Sequence, residues 1–322
     1  EIALGASTHD LLLRFLSALP LASRPRLVTT DGEFHTLRRQ LDRLAEAGRV
    51  ELVKVSATPA DAIADRLVAA IDDRTAAVFA SSVLFANAHR VPGLERVLAA
   101  CRARGAELLV DAYHQLNVVP VALAADGLDE AFVTGGGYKY CQLGEGNAFL
   151  RVPPGRDAMF PVVTGWYSEF ARLAERPAGA VPYGDGPARW AGSTYDPTSH
   201  YRAARVFDFF REHALEPAFL REVSQHQLAR LASGFDALDL DPAQLARDRA
   251  VPLERLGGFL ALHGPRASAI ARALAERGVA SDVRGPLLRL GPAPYLCDAQ
   301  LERAIAALGD AVRAGAASVR GG

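Results

Sequence analysis

Through the first half of the chain, short apolar runs alternate with segments whose apolar positions recur at helical spacing. Arg26-Leu27-Val28-Thr29-Thr30 reads as a strand, and His35 to Ala47 follows with helical spacing up to Gly48. Val50 to Val55 is the next strand, and Pro59 opens a helix through Ile71. Ala76 to Ala80 reads as a strand, Pro92 to Arg104 as a helix stopped by Gly105, and Ala106 to Val110 and Ala131 to Thr134 as further strands. Pro suits a helix start because the first turn has spare N–H groups, and Gly suits the stop because it accepts a left-handed conformation. This alternation predicts an α/β domain built on a mostly parallel sheet.

After Phe149-Leu150-Arg151 the pattern changes. Residues 152–198 are rich in Gly, Pro and aromatics and read as long connecting loops, which in a domain are usually functional or lie at an interface. A long helical pattern follows from Ser199 to Phe235. Beyond it come a strand at Gly258 to Leu262, a helix from Ala267 to Arg277, a strand at Leu287 to Leu290, and a helix from Asp298 to Ala314 with Gly315 as its stop. The expected organisation is a large domain over residues 1–198, and a long helix with a smaller C-terminal α/β domain over 199–322. A chain of 322 residues exceeds what one hydrophobic core usually holds, which favours this division.

Composition narrows the classes. Half the residues are hydrophobic and the formal net charge is -1, so the chain reads as soluble and offers no basic field to nucleic acid. No apolar run approaches the roughly 18 residues of a membrane span. Cys101, Cys141 and Cys297 are too far apart for a zinc knuckle or a disulfide framework, so no metal and a reducing cytoplasm are expected. The chain opens at Glu1 without a signal peptide, and the large domain is expected to lack part of its N-terminal region.

Ligands of an open parallel sheet bind outside the carboxyl ends of its strands. Those ends run into Asp31-Gly32-Glu33-Phe34-His35-Thr36, Ser81-Ser82, Asp111-Ala112-Tyr113-His114, and Gly135-Gly136-Gly137-Tyr138-Lys139-Tyr140. Taken singly, an Asp after a strand is most often a turn or cap residue and a Lys a solvated charge. Taken in order, a carboxylate and a lysine one strand apart suit pyridoxal-5′-phosphate (PLP). The carboxylate of Asp111 would keep the pyridine nitrogen protonated and Lys139 would form the imine. Phe34 is the candidate to cover the ring. Ser7 and Thr8, just before the apolar helix at Leu11-Leu12-Leu13, are placed to bind phosphate at a helix start.

Asp111-Ala112-Tyr113-His114 followed by Tyr138-Lys139-Tyr140 resembles the class V aminotransferase superfamily of fold-type I PLP enzymes, and within it the kynureninases. The resemblance extends from Ala6 to the C-terminal helix. It implies a homodimer with shared active sites and assigns roles. Ser7 and Thr8 match the phosphate loop, Phe34 the stacking aromatic, Ser81 a serine near the cofactor, and Asp111 and His114 the ring-nitrogen carboxylate and its neighbour. Tyr138 matches a phosphate ligand that assists proton transfer, and Lys139 the imine lysine. Trp166, after Gly165, matches an indole reaching in from the partner, and Thr194 a polar residue crossing the interface. Arg289 matches the arginine that grips the substrate α-carboxylate in a bidentate pair.

The chain departs from kynureninases at several points. The family's Phe-Pro-Thr-Asp reads Phe34-His35-Thr36-Leu37, its interface asparagine is Thr194, and the loop after the lysine reads Gly144-Glu145-Gly146. The family's N-terminal substrate-recognition segment has no counterpart. A cysteine desulfurase would place its nucleophilic Cys shortly before the carboxylate-binding arginine, and no Cys lies between Cys141 and Arg289. The expected activity is therefore kynureninase-like hydrolysis of a Cβ–Cγ bond releasing alanine. The alternatives are a class V aminotransferase or lyase on another amino acid, and a non-catalytic binding protein that keeps the fold.

Overall fold

Seven strands form the main sheet: β1 (Ile2–Gly5), β2 (Arg26–Thr30), β3 (Glu51–Val55), β4 (Thr75–Ser81), β5 (Glu107–Asp111), β6 (Phe132–Gly136) and β7 (Ala148–Arg151). Their spatial order is β1-β7-β6-β5-β4-β2-β3. The five strands from β2 to β6 pair in parallel, as the alternating pattern predicts, while β7 runs antiparallel to both β6 and β1. Strand β1 was not expected from the sequence. At four residues it is too short to show a period, and it exists through its pairing with β7. The computed structural model of the chain describes residues 1–175 and 179–320; residues 176–178 of the predicted loop stretch and residues 321–322 lie outside it.

Four helices accompany these strands: α1 (Thr8–Ala18), α2 (His35–Glu46), α3 (Ile63–Ala70) and α4 (Leu94–Ala103). Helix α1 starts where Ser7, in extended conformation, accepts the Asp10 N–H at 3.2 Å, which satisfies one of the spare donors of the first turn. Its buried face carries Leu11, Leu12, Phe15 and Leu16. Phe15 meets Phe79 and Phe132 edge to face at 5.7 and 4.8 Å. Trp190, fully buried, closes this cluster against Phe132 at 5.7 Å. The loop-rich 152–198 stretch thus also supplies core.

The chain divides into two compact units. The first comprises Glu1–Val83, Val91–Leu116 and Val121–Ala214, and the second Leu84–Arg90, Asn117–Pro120 and Leu215–Gly322. The predicted helix from Ser199 to Phe235 is two helices, α5 (Thr198–Glu212) and α6 (Pro217–Ala237). Ala214 takes a left-handed φ of 52°, which ends α5, and Pro217, lacking an N–H, sits at the start of α6. Helix α5 goes with the first unit because Ser199 Oγ donates to the Gly146 carbonyl at 2.5 Å and Arg202 Nε to the Leu143 carbonyl at 2.7 Å.

The second unit carries a four-stranded antiparallel sheet in the order β10 (Asp282–Arg284), β11 (Leu287–Leu290), β9 (Leu260–His263), β8 (Ala246–Arg247). It packs with α6, α7 (Ala267–Glu276) and α8 (Asp298–Arg320) around Leu228, Leu231, Phe259, Leu262, Leu274, Leu288, Leu301 and Leu308. Helix α8 runs through Gly315 to Arg320 rather than stopping there; one interior glycine costs a helix only about 1 kcal/mol.

Candidate active site

Parallel pairing brings the ends of β4, β5 and β6 to one edge of the sheet. Ser81 stands opposite Asp111 in register, and Asp111 opposite Thr134. Lys139 follows β6 in the loop that returns to the antiparallel β7. Its Nζ lies 4.1 Å from the centre of the Tyr113 ring, 5.0 Å from that of Tyr138 and 5.2 Å from that of Phe34. A cation gains from the negative faces of such rings. Four sequence candidates, Phe34, Asp111, Tyr138 and Lys139, are thereby brought together.

Asp111 is half-buried, and its Oδ1 accepts the Tyr113 N–H at 2.8 Å. Burial pushes the pKa of its carboxyl above the ordinary range, while the Tyr113 N–H and the charge of Lys139 pull it down. An enclosed carboxylate of this kind gains strongly from a further cationic hydrogen-bond donor. Beside it, an amine faces aromatic rings. The set fits a flat, positively charged heteroaromatic that can form an imine.

Tyr113, the aromatic nearest the lysine, had no role in the sequence reading. The available signal was the turn at Asp111: when residue 113 returns its N–H to an Asp carboxylate, the turn is closed and its side chain is directed. Burial raises the pKa of its hydroxyl, which the Tyr138 backbone hydrogen-bonds. Gly136 makes room for it, since a Cβ there would come within 2.6 Å of the Tyr113 hydroxyl and 2.7 Å of its ring. Next to Gly136, a Cβ on Gly137 would strike Leu143 and Asn147. The glycines before Lys139 thus answer to close packing.

Glu33 was also missed as a site residue. It is 2% exposed, and both its oxygens are engaged: Oε1 accepts the Thr30 hydroxyl at 2.7 Å and the Ser81 N–H at 3.2 Å, and Oε2 accepts the Ser81 hydroxyl at 2.6 Å. Ser81 therefore meets Glu33 directly, beside Asp111. His114 is buried, with its ring 6.4 Å from that of Tyr140. Ser7 caps α1 and Thr8 is the first residue of that helix. Trp166 Nε1 donates to Thr194 Oγ1 at 3.1 Å, which joins the two predicted interface residues to each other.

Arg289 belongs to the second unit. It stands opposite Asp282 in register and pairs with it, donates to the Phe85 carbonyl, and lies over the Phe259 ring at 4.9 Å. A strand arginine among apolar neighbours is expected to have such an acid, because a buried charge needs a partner. Cys101 and Cys141 are held as neutral thiols, their pKa values pushed up to about 12 and about 11 by burial. Among the described residues no cluster suited to a metal ion occurs, and no helix is long and apolar enough to cross a membrane.

Comparison with known proteins adds three kinds of likeness. Residues 238–308 match the family model of the kynureninase C-terminal domain. A kynureninase of Pseudomonas fluorescens is 28% identical over 252 residues, which cover 76% of this chain and 58% of that protein, so the chain spans less than two-thirds of its length. Among solved structures, the cysteine desulfurase CsdA from Escherichia coli matches with a TM-score of 0.78 at 15% identity, covering 97% of this chain and 79% of its own. A cysteine desulfurase from Thermococcus onnurineus NA1 gives 0.78 at 16% identity, covering 98% and 80%. A C-DES variant with glycine covalently linked to its PLP cofactor gives 0.79 at 16% identity, covering 96% and 80%. At these identities the structural matches speak for the fold.

Proposed function

We propose a function that starts from the family: the chain is a kynureninase-like member of the class V aminotransferase superfamily, with the fold of fold-type I PLP enzymes. On our reading it binds PLP and acts on an amino acid, hydrolysing a Cβ–Cγ bond to release alanine and a carboxylic acid. The observation that carries this reading is Lys139 Nζ facing the Phe34, Tyr113 and Tyr138 rings while its charge acts on the enclosed Asp111.

When bound, PLP supplies an electron sink for the charge that develops at the substrate Cα. Lys139 would hold the cofactor through Nζ, and the freed amine would take the Cα proton on that same atom. Asp111 would accept a hydrogen bond from the protonated ring nitrogen and so keep it charged. Phe34 covers the ring, and Ser7, Thr8 and Tyr138 bind the phosphate, with Tyr138 also assisting proton transfer. Ser81 and His114 line the cofactor site. In a homodimer, Trp166 and Thr194 would reach the partner's site, a role supported by the family resemblance and by the 42% exposure of Trp166.

The deciding experiment reads cofactor absorbance and product over a panel of amino acids, with and without a keto acid. Alanine release from a γ-carbonyl amino acid without keto acid is expected. Turnover only with keto acid would mean an aminotransferase, and no bound chromophore would mean a non-catalytic binding protein. Sulfur release from cysteine is not expected, because Cys101 and Cys141 are held as neutral thiols and Cys297 lies beyond Arg289.

Arg289 reads the substrate carboxylate in this proposal. Asp282 already occupies part of its guanidinium fork, so the substrate must share or displace that acid. Arg289→Lys should raise KM about tenfold or more, since Lys cannot make two parallel N–H···O bonds. The absorbance of bound PLP should not change, and an amine lacking the carboxylate should be insensitive to the substitution. Equal losses for acid and decarboxylated amine would assign Arg289 to the Asp282 pair alone. Mixing inactive Lys139→Ala and Thr194→Ala subunits should restore partial activity through heterodimers with one intact site. Proven exchange without rescue would confine Thr194 to its own subunit.

A further inference from the structure

Glu33 has no part in the reaction outlined above, yet it is 2% exposed beside the site. Buried carboxylates are usually paired with a cation. Glu33 instead accepts hydrogen bonds from uncharged groups: the Thr30 hydroxyl from β2, and the Ser81 hydroxyl and N–H from β4. The charge acting on it is the negative one of Asp111 on β5. Asp31, two residues earlier, points its carboxylate at the Ala57 N–H, 2.8 Å away, and His35 on α2 is exposed.

Two covalent and register links connect Glu33 to the site. Phe34 is its direct chain neighbour and opens α2. Ser81 is the register partner of Asp111, and the next residue, Ser82, donates its N–H to the Asp111 carbonyl at 3.0 Å. We propose that Glu33 is a positioning residue of the PLP site, tying the end of β2 to the end of β4 and so holding Phe34 and Asp111 where they serve the cofactor. This inference rests on the PLP reading given above.

The charge of Glu33 has a consequence of its own. Burial and the nearby Asp111 push its pKa up to about 7, against the pull of the Ser81 and Thr30 hydrogen bonds. Below that pH, Glu33 keeps its proton and adds no charge beside Asp111. Above it, a second negative charge arises next to the carboxylate that holds the ring nitrogen.

Glu33→Gln keeps an acceptor for Thr30 and the Ser81 N–H, and its amide can donate to the Ser81 hydroxyl. Glu33→Ala removes all of these contacts. After reconstitution with PLP, the alanine variant should bind PLP about tenfold more weakly, the cost of roughly one lost buried interaction, while the glutamine variant stays within about threefold of wild type. The absorbance of bound PLP between pH 5.5 and 9 should inflect near pH 7 in the wild type, and this inflection should vanish in Glu33→Gln. Without PLP, the melting temperature of Glu33→Gln should gain on wild type as pH rises from 5 to 8. The sign follows because stability is lost from the ordinary carboxylate range, where the unfolded chain releases the proton, up to about pH 7, where folded Glu33 releases it.

Superimposable absorbance curves for wild type and Glu33→Gln would overturn the inference, as would unchanged PLP affinity in Glu33→Ala. If the alanine variant fails to fold, the glutamine comparison decides. A wild-type protein that takes up no PLP would overturn both this inference and the PLP reading. A chromophore with an unchanged titration would overturn this inference alone.

Discussion

Lys139→Ala is expected to abolish turnover, by at least about a thousandfold, because in the proposed reaction the same Nζ would both hold the cofactor and move the Cα proton. The fold should survive. Lys139 is in a loop rather than in a strand, and its Nζ faces three ring surfaces that remain packed without it. PLP should still bind without a covalent bond, through Asp111 and the phosphate ligands. Borohydride reduction of the wild type, followed by peptide mass spectrometry, should find the cofactor on Lys139. An adduct on Lys54, the chain's other lysine, would remove Lys139 from this role. A variant that kept more than about a tenth of wild-type turnover would do the same.

Asp111→Asn should give the second largest effect, and two of its readouts move in opposite directions. The proposed charge-assisted hydrogen bond to the ring nitrogen would be lost, at a cost of about 1.5–3 kcal/mol, or roughly tenfold to a hundredfold in PLP affinity. Cα–H cleavage should slow further, since the ring no longer stays protonated. In cofactor-free protein the substitution should stabilise the fold at neutral pH. Burial raises the pKa of Asp111 in the folded state, so its ionisation costs stability as pH rises above the ordinary carboxylate range. Below that range both variants are neutral and their stabilities should converge. Thermal melts at pH 3.5 and pH 7, with and without PLP, check all of this. A variant less stable than wild type without PLP at pH 7 would mean that Asp111 is a structural partner of Lys139.

The mostly parallel sheet and the placement of Phe34, Asp111, Tyr138 and Lys139 were legible because both depend on order along the chain. Strand–helix alternation forces parallel pairing, and parallel pairing puts whatever follows each strand on one edge. A helix start was legible where a single residue sets it, as at Ser7, whereas the break between α5 and α6 was not, because the helical spacing of apolar residues continues across Pro217. Strand β1 was not legible, because it has no period and is defined by its partner β7.

The tertiary structure decided the rest. Glu33 and Asp111 are both carboxylates after strands, and nothing local tells which becomes enclosed by two hydroxyls and which meets the lysine. Tyr113 and Trp190 look alike as aromatics in loops, yet one faces Lys139 and the other fills the core against Phe132. Arg289 gained its acid because β10 and β11 pair in the register that sets Asp282 opposite it. In each case the deciding quantity is water exclusion or a neighbour from a chain-distant strand. Such quantities set a pKa or a partner by several kcal/mol while leaving no trace in the residues next door.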